Sequence, residues 1–174
     1  MLCGRGTERP LALIGQVLER LGLELNENKT RVLNAWQESF EFLGFELRMR
    51  KSNNTGKSYP HVRPAKKSMK KIKARVTELT ARRNTPIPLE VIVAKLNTTL
   101  RGWVGYFHYR NCSKSLAGLK HHAEERVRTH LRKRHRVKDR ATGYARFSNR
   151  VLYHQYRLYA VPTTAGWRSA HALA

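Results

Sequence analysis

The chain has 174 residues, enough for one domain or two small ones built around a real hydrophobic core. Its 35 Lys+Arg against 12 Asp+Glu give a formal charge of +23, which points to a polyanionic partner, nucleic acid ahead of a membrane surface. No apolar run approaches the roughly 20 residues of a membrane span, no secretory h-region opens the sequence, and Cys3 and Cys112 make neither a CxxC pair nor a disulfide framework. A reduced, cytoplasmic setting is the expectation.

The charge is uneven along the chain. Residues 1–46 hold five basic and seven acidic residues, whereas the remainder holds 30 basic and five acidic. Polyanion binding is therefore expected beyond about Leu47, and the first part reads as a different kind of unit. In it, Leu11, Ile14, Leu18 and Leu21 recur at helical spacing, with Pro10 suited to the first turn and Gly22 to the C-terminal stop. Leu23-Glu24-Leu25 alternates like a strand, Asn26-Glu27-Asn28 is turn chemistry, and Thr30 to Leu33 can be a second short strand. From Phe40 to Leu47 apolar and acidic residues alternate again, and Gly44 inside that run suggests a bulge or a close approach of other backbone. These features predict a helix packed on a small antiparallel sheet.

Residues 51–60 are polar, punctuated by Gly56 and Pro60, and read as a loop or linker. After Pro64 a helix is predicted to about Arg83, with Met69, Ile72, Val76 and Leu79 on one face and Lys66, Lys67, Lys70 and Lys71 on the others. Such a lysine run can be a solvated face, but the missing compensating acids favour binding. Asn84-Thr85-Pro86-Ile87-Pro88 breaks the chain before the segment on which the rest is organised. There Leu89, Ile92, Leu96, Leu100, Trp103 and Phe107 form a helical stripe, with Asn97, Arg101, Gly105 and His108 opposite it. Two readings are open for that opposite side: a helix back facing water, or a place where a phosphate backbone comes close. Gly102 and Gly105 each cost a helix interior about 1 kcal/mol relative to alanine, so packing or a ligand should offset them.

A further helix is predicted from Ser113 or Ser115 as N-cap, burying Leu116, Leu119, Ala123, Val127 and Leu131 and ending in the basic run from Arg132 to Lys138. Beyond Tyr144, Phe147, Tyr153, Tyr156 and Tyr159 interleave with Arg146, Arg150 and Arg157. That pattern suits either base stacking or a last helix docking its aromatics on the bundle. No catalytic constellation emerges. Nucleotidyl transfer needs paired carboxylates for two metal ions, but Asp139 is the single aspartate and stands in a basic stretch. Glu124 and Glu125 are adjacent and point apart on a helix, His121 and His122 miss the i,i+4 spacing of a helical zinc pair, and no GxSxG or P-loop occurs.

Three stretches resemble the C-terminal portion of group II intron-encoded reverse transcriptase/maturases. Gly22 to Val32 looks like the family's late palm motif with its lysine–threonine pair, Lys29-Thr30. Phe40 to Leu47, FEFLGFEL, is similar to the hairpin that leads out of the palm. Leu96 to Phe107, LNTTLRGWVGYF, is similar to the core of the maturase-specific domain (domain X, the thumb), with Thr98 where the family commonly has proline. The resemblance implies an α+β, mainly helical chain: residues 1–50 a palm remnant of helix plus antiparallel hairpin, 51–63 a linker, and 64–174 a basic helical thumb bundle. It places the family's Tyr-Ala-Asp-Asp motif just before residue 1, shows no Cys/His-rich endonuclease module, and sets Lys29 near the active-site end of the palm.

The implied function is a maturase module that grips structured RNA, in particular group II intron RNA, or an RNA/DNA duplex, with no polymerisation and no membrane association of its own. Lys66, Lys67, Lys70, Lys71, Asn97, Arg101, Arg128, Arg132, Lys133, Arg134 and Arg136 are the candidate RNA contacts, while Trp103 and Phe107 belong to the core. No cofactor is expected, and Mg2+ only if a separate polypeptide supplies the catalytic palm. Three alternatives stay open: such a split enzyme, a non-functional fragment, and a generic duplex binder.

Overall fold

The computed structural model describes residues 6–26 and 30–165, which fall into two compact units divided between Glu38 and Ser39. Helix α1 (Glu8–Arg20) belongs to the first. Gly22 (φ +67°) ends it in a Schellman motif, its N–H donating to Glu19 O and that of Leu23 to Leu18 O, as the sequence predicts for that glycine. The strands expected at Leu23–Leu25 and Thr30–Leu33 do not form. Both segments are too short to bury a face, and among the described residues neither finds a partner ladder. Lys29 and most of the Asn26–Asn28 turn lie outside the described residues.

The second unit begins with a three-stranded antiparallel sheet in the order β1 (Phe40–Phe42), β2 (Phe45–Lys51), β3 (Ser58–Pro64). Phe42 pairs with Phe45 across a two-residue turn in which Leu43 (φ +48°) and Gly44 (φ +81°) are both left-handed, the conformation that matches the twist of a tight hairpin. Gly44 is thus a turn residue and also a point of close approach, since a Cβ there would lie 2.9 Å from Ser68 Oγ and 3.2 Å from the Phe107 ring. Half of the stretch read as a linker is in fact β3. Its prolines, Pro60 and Pro64, are tolerated because β3 is an edge strand with fewer N–H groups to place in the ladder. Asn111 covers part of the outer edge, donating from its backbone N–H to Val62 O at 3.0 Å and accepting from Val62 N–H at 3.3 Å. The hairpin lies within the second unit.

The helices follow as α2 (Lys66–Leu79), a 3-10 turn at Arg82–Asn84, α3 (Leu89–Phe107), α4 (Ser113–Arg134), α5 (Arg140–Arg146) and α6 (Asn149–His154). The predicted stripes are the ones buried. Ile72, Val76 and Leu79 of α2 meet Leu89, Ile92, Leu96 and Leu100 of α3 and Leu116, Leu119, Ala123, Val127 and Leu131 of α4 in one core. Val93 and Val104 widen the α3 stripe, and Trp103 is half-buried, stacked on Phe107 at 4.4 Å between centroids. Phe45 of the sheet packs on Phe107 at 5.0 Å, which fastens the strands to the C-terminal end of α3. Cys112, not a serine, occupies the N-cap of α4. In place of one last helix, α5 and α6 are short, capped by the side chains of Asp139 and Ser148, and an extended segment follows. Phe147, Leu152, Leu158 and Val161 are buried, and Tyr153, Tyr156 and Tyr159 pack against the core. The architecture is α+β and mainly helical.

Candidate nucleic-acid interface

The basic residues of α2 are laid out by helical spacing against a buried stripe. Ile72, Val76 and Leu79 hold the helix to the core, so Lys66, Lys67, Lys70 and Lys71 are driven to its exposed side. Among the described residues none of the four has an ion pair with a carboxylate. An open groove of about 550 Å³ lies where the end of β3, one face of α2 and the first turns of α4 meet. Arg63, Lys66, Lys70 and Lys73 line it together with Met69, Ala74, Thr77 and Ser115. No acidic residue lines it; Arg63 pairs with Glu46 beside the groove, whereas Lys66, Lys70 and Lys73 have no carboxylate partner among the described residues. Low-dielectric walls strengthen the potential in such a cleft.

Lysines 66, 70 and 73 stand at i, i+4 and i+7, one row along the helix. The groove therefore selects Lys66 and Lys70 from the predicted cluster, leaves Lys67 and Lys71 on neighbouring exposed surface, and adds Arg63 and Lys73. The i+7 spacing of Lys73 was visible in sequence, but the contribution of Arg63 depends on a strand pairing that was not. The groove wall is fastened by His122 of α4, whose Nε2 lies 3.1 Å from both Thr77 Oγ1 and Lys73 O. Burial holds the pKa of His122 below the usual histidine value, helped by Lys73 and Arg126 and opposed by the hydrogen bond to Lys73 O. A neutral ring there avoids placing another charge inside the helix pair.

The other predicted contacts separate into two groups. Lys133 and Arg136, at the end of α4, are exposed. Arg101 is also exposed, with its guanidinium 5.4 Å over the Tyr159 ring. Asn97 is committed internally: its Nδ2 donates to Arg157 O at 2.8 Å and its Oδ1 accepts from Tyr159 N–H at 2.7 Å. The polar side of α3 thus anchors the C-terminal segment, and His108 Nε2, 3.2 Å from Thr164 O, continues the anchorage. Both polar atoms of the Asn97 amide are thereby engaged within the chain.

Arg128 is engaged within the chain in the same way. It is 4 % exposed, pairs with Glu125, donates to Phe147 O at 3.0 Å and Asn149 Oδ1 at 2.6 Å, and lies 4.3 Å over the Tyr144 ring. Arg134 donates to Thr85 O and Ile87 O, and Arg132 to Lys138 O, so both close loops with their own guanidinium groups. A basic run at a helix end has an alternative to solvent or phosphate, namely the carbonyls of adjacent turns.

The acidic residues do not converge. Glu78 is held by Arg75 and Arg83, Glu124 accepts from Tyr153, Glu125 serves Arg128 and Arg140, and Asp139 caps α5. Among the described residues no group of three His, Cys, Asp or Glu could hold a metal ion, and no helix is long and apolar enough to cross a membrane.

Residues 69–148 match the family model of the group II intron, maturase-specific domain. The maturase-specific match runs from inside α2 to the end of α5, so it contains most of the groove and all of α3 and α4. It covers just under half of the chain and begins after the sheet, leaving the palm resemblance of the earlier residues outside it. It supports a relation to group II intron maturases and indicates a maturase-related function for this segment. No curated protein matches the chain.

Proposed function

We propose that the chain is an RNA-binding maturase module that grips structured group II intron RNA through its phosphate backbone, at the groove between α2 and α4. The observation that carries this reading is the convergence of Arg63, Lys66, Lys70 and Lys73 on one concave surface without a lining carboxylate, within and beside the maturase-specific match. A-form RNA hides its base edges in a deep groove and offers phosphates and 2′-hydroxyls, so a row of lysines reads shape and charge. Lys133, Arg136 and Arg101 are further exposed cations of the same unit. The chain contributes binding, and polymerisation would require a catalytic palm from elsewhere.

The test is binding of the full chain to a folded group II intron RNA and to an unrelated structured RNA across a salt series. We expect preference for the intron that survives rising salt, and a steep decline of affinity with salt. The K66Q/K70Q/K73Q variant should weaken binding at least about 10-fold and flatten the salt slope by about 2 to 3, since each phosphate contact contributes close to one unit. Equal binding to both RNAs would reduce the reading to a generic duplex binder. An unchanged slope in the variant would remove the groove from it.

A further inference from the structure

We infer that the outer face of the three-stranded sheet is a second RNA contact, which takes the sugar–phosphate backbone where it leaves the groove. This rests on the RNA-binding reading above and extends it to residues outside the maturase-specific match.

Register decides which side chains share that face. Glu46 pairs with Arg63, Arg48 with His61 and Arg50 with Tyr59, and directly opposite residues project from the same side of an antiparallel pair. The alternate residues Phe45 and Val62 belong to the inner side, where Phe45 meets Phe107 and Val62 is buried. Three rows therefore face outward. Rows two residues apart are separated by about 6.8 Å, so the face extends about 14 Å, a length over which one strand of a duplex presents roughly four phosphates. Arg63 belongs to both surfaces, since it lines the groove and heads the first row.

The first row also carries Glu41, which β1 sets opposite Glu46, so two carboxylates share that end of the face and the unbalanced positive charge lies in the second and third rows. Glu46 accepts two hydrogen bonds from Arg63, at 2.8 and 3.0 Å, and so serves that arginine. Among the described residues Arg48 and Arg50 have no carboxylate partner, and Arg48 Nε is buried with no acceptor. A desolvated guanidinium N–H without a partner is a cost that an arriving phosphate oxygen would relieve. The histidine between them registers the local potential. Burial, then Arg50, Arg63 and Arg48, hold the pKa of His61 below its ordinary value against the opposing pull of Glu46. Tyr59, 6.2 Å from the His61 ring, gives the last row an aromatic surface. The second and third rows present arginines with the His61 and Tyr59 rings and no aliphatic side chain, while the exposed Phe42 and Leu43 stand at the hairpin turn. Such rows suit a polyanion with a regular charge repeat better than insertion into a bilayer.

The experiment compares R48Q/R50Q and K66Q/K70Q in the full chain, on RNA duplexes of roughly 6 and roughly 20 base pairs over a salt series, together with the proton titration of His61 followed by NMR in the unaltered protein. We expect R48Q/R50Q to weaken the long duplex about 5-fold or more and lower its salt slope by about 1.5, leaving the short duplex unchanged, while K66Q/K70Q weakens both. Binding of the long duplex should raise the pKa of His61, because phosphates neutralise the arginines that depress it. Unchanged affinity and slope in R48Q/R50Q with an unmoved His61 would overturn the sheet contact and leave the groove standing. Failure of K66Q/K70Q to weaken either duplex would remove the RNA-binding reading itself. A His61 response to vesicles containing anionic lipid but not to RNA would assign the face to a membrane surface and overturn the inference. The His61 titration needs no substitution, so a variant that unfolds leaves the question decidable.

Discussion

Gly44 combines a left-handed backbone with a tight neighbourhood, and Gly102 and Gly105 have neither. At Gly44 a methyl would demand φ +81° of an L-residue and meet Ser68 Oγ at 2.9 Å. At Gly102 and Gly105, on the exposed side of α3, a Cβ would meet nothing within 4 Å. Gly44→Ala should therefore cost roughly 1–3 kcal/mol, while Gly102→Ala and Gly105→Ala should each stabilise the fold by about 0.5–1 kcal/mol. Urea midpoints at a common slope would check this, and the opposite order would contradict the described backbone. The cost of the α3 glycines was legible in sequence, but not that internal packing leaves it uncompensated. Asn97 shows the converse limit. Its position opposite the apolar stripe was readable, whereas the carbonyl and N–H it holds come from residues some 60 positions away.

Between elements, the junction of α4 with α5 and α6 is closed by Arg128. Its guanidinium satisfies the carbonyl of Phe147 and the Asn149 side chain while pairing with Glu125, so it links three elements through hydrogen bonds made away from water. Replacing it by alanine strands those acceptors and leaves Glu125 with Arg140 alone, at 3.5 Å. We expect Arg128→Ala to lower stability by about 3–5 kcal/mol, with α5 and α6 losing amide protection first in hydrogen exchange. A loss under about 1 kcal/mol would mean that the pair is worth no more than a surface bridge. The sequence presented Arg128 as one more member of a basic run because charge along a helix does not reveal which side faces a neighbour. β3 was obscured for a related reason. Strand pairing is non-local, and Ser58 to Pro64 has the composition of a linker until β2 supplies its ladder.

At the scale of the molecule, histidines and excess positive charge set the pH response. Burial, first among the causes, holds His130 and His122 below the ordinary histidine pKa, with neighbouring arginines and lysines adding to it and hydrogen bonds to backbone carbonyls opposing it. A group depressed in the folded state binds more protons when unfolded. Its stabilisation is therefore complete above about pH 6.5 and is lost as pH falls through the folded value. His130, 1 % exposed and donating at most one bond to Thr80 O, should dominate. Thermal unfolding should give a level Tm from pH 7 to 8 and a decline below about 6.5, smaller in His130→Gln. A Tm that rises from pH 7 to pH 5.5 would contradict this account.

The sequence by itself determined most of the helices, their buried stripes, the mainly helical α+β class, the large positive charge and, of the resemblance, the maturase-specific part matched over residues 69–148. Those properties are local or compositional: helical periodicity needs only neighbours within a few residues, and net charge needs no fold at all. Tertiary structure alone decided which cations remain available. It turned Asn97, Arg128 and Arg134 inward to satisfy distant carbonyls, and it brought Arg63 from a strand beside Lys66, Lys70 and Lys73 on a helix. The physical reason is common to both outcomes. A buried backbone carbonyl must find a donor wherever the chain brings one, and that pairing is set by packing over long sequence separations.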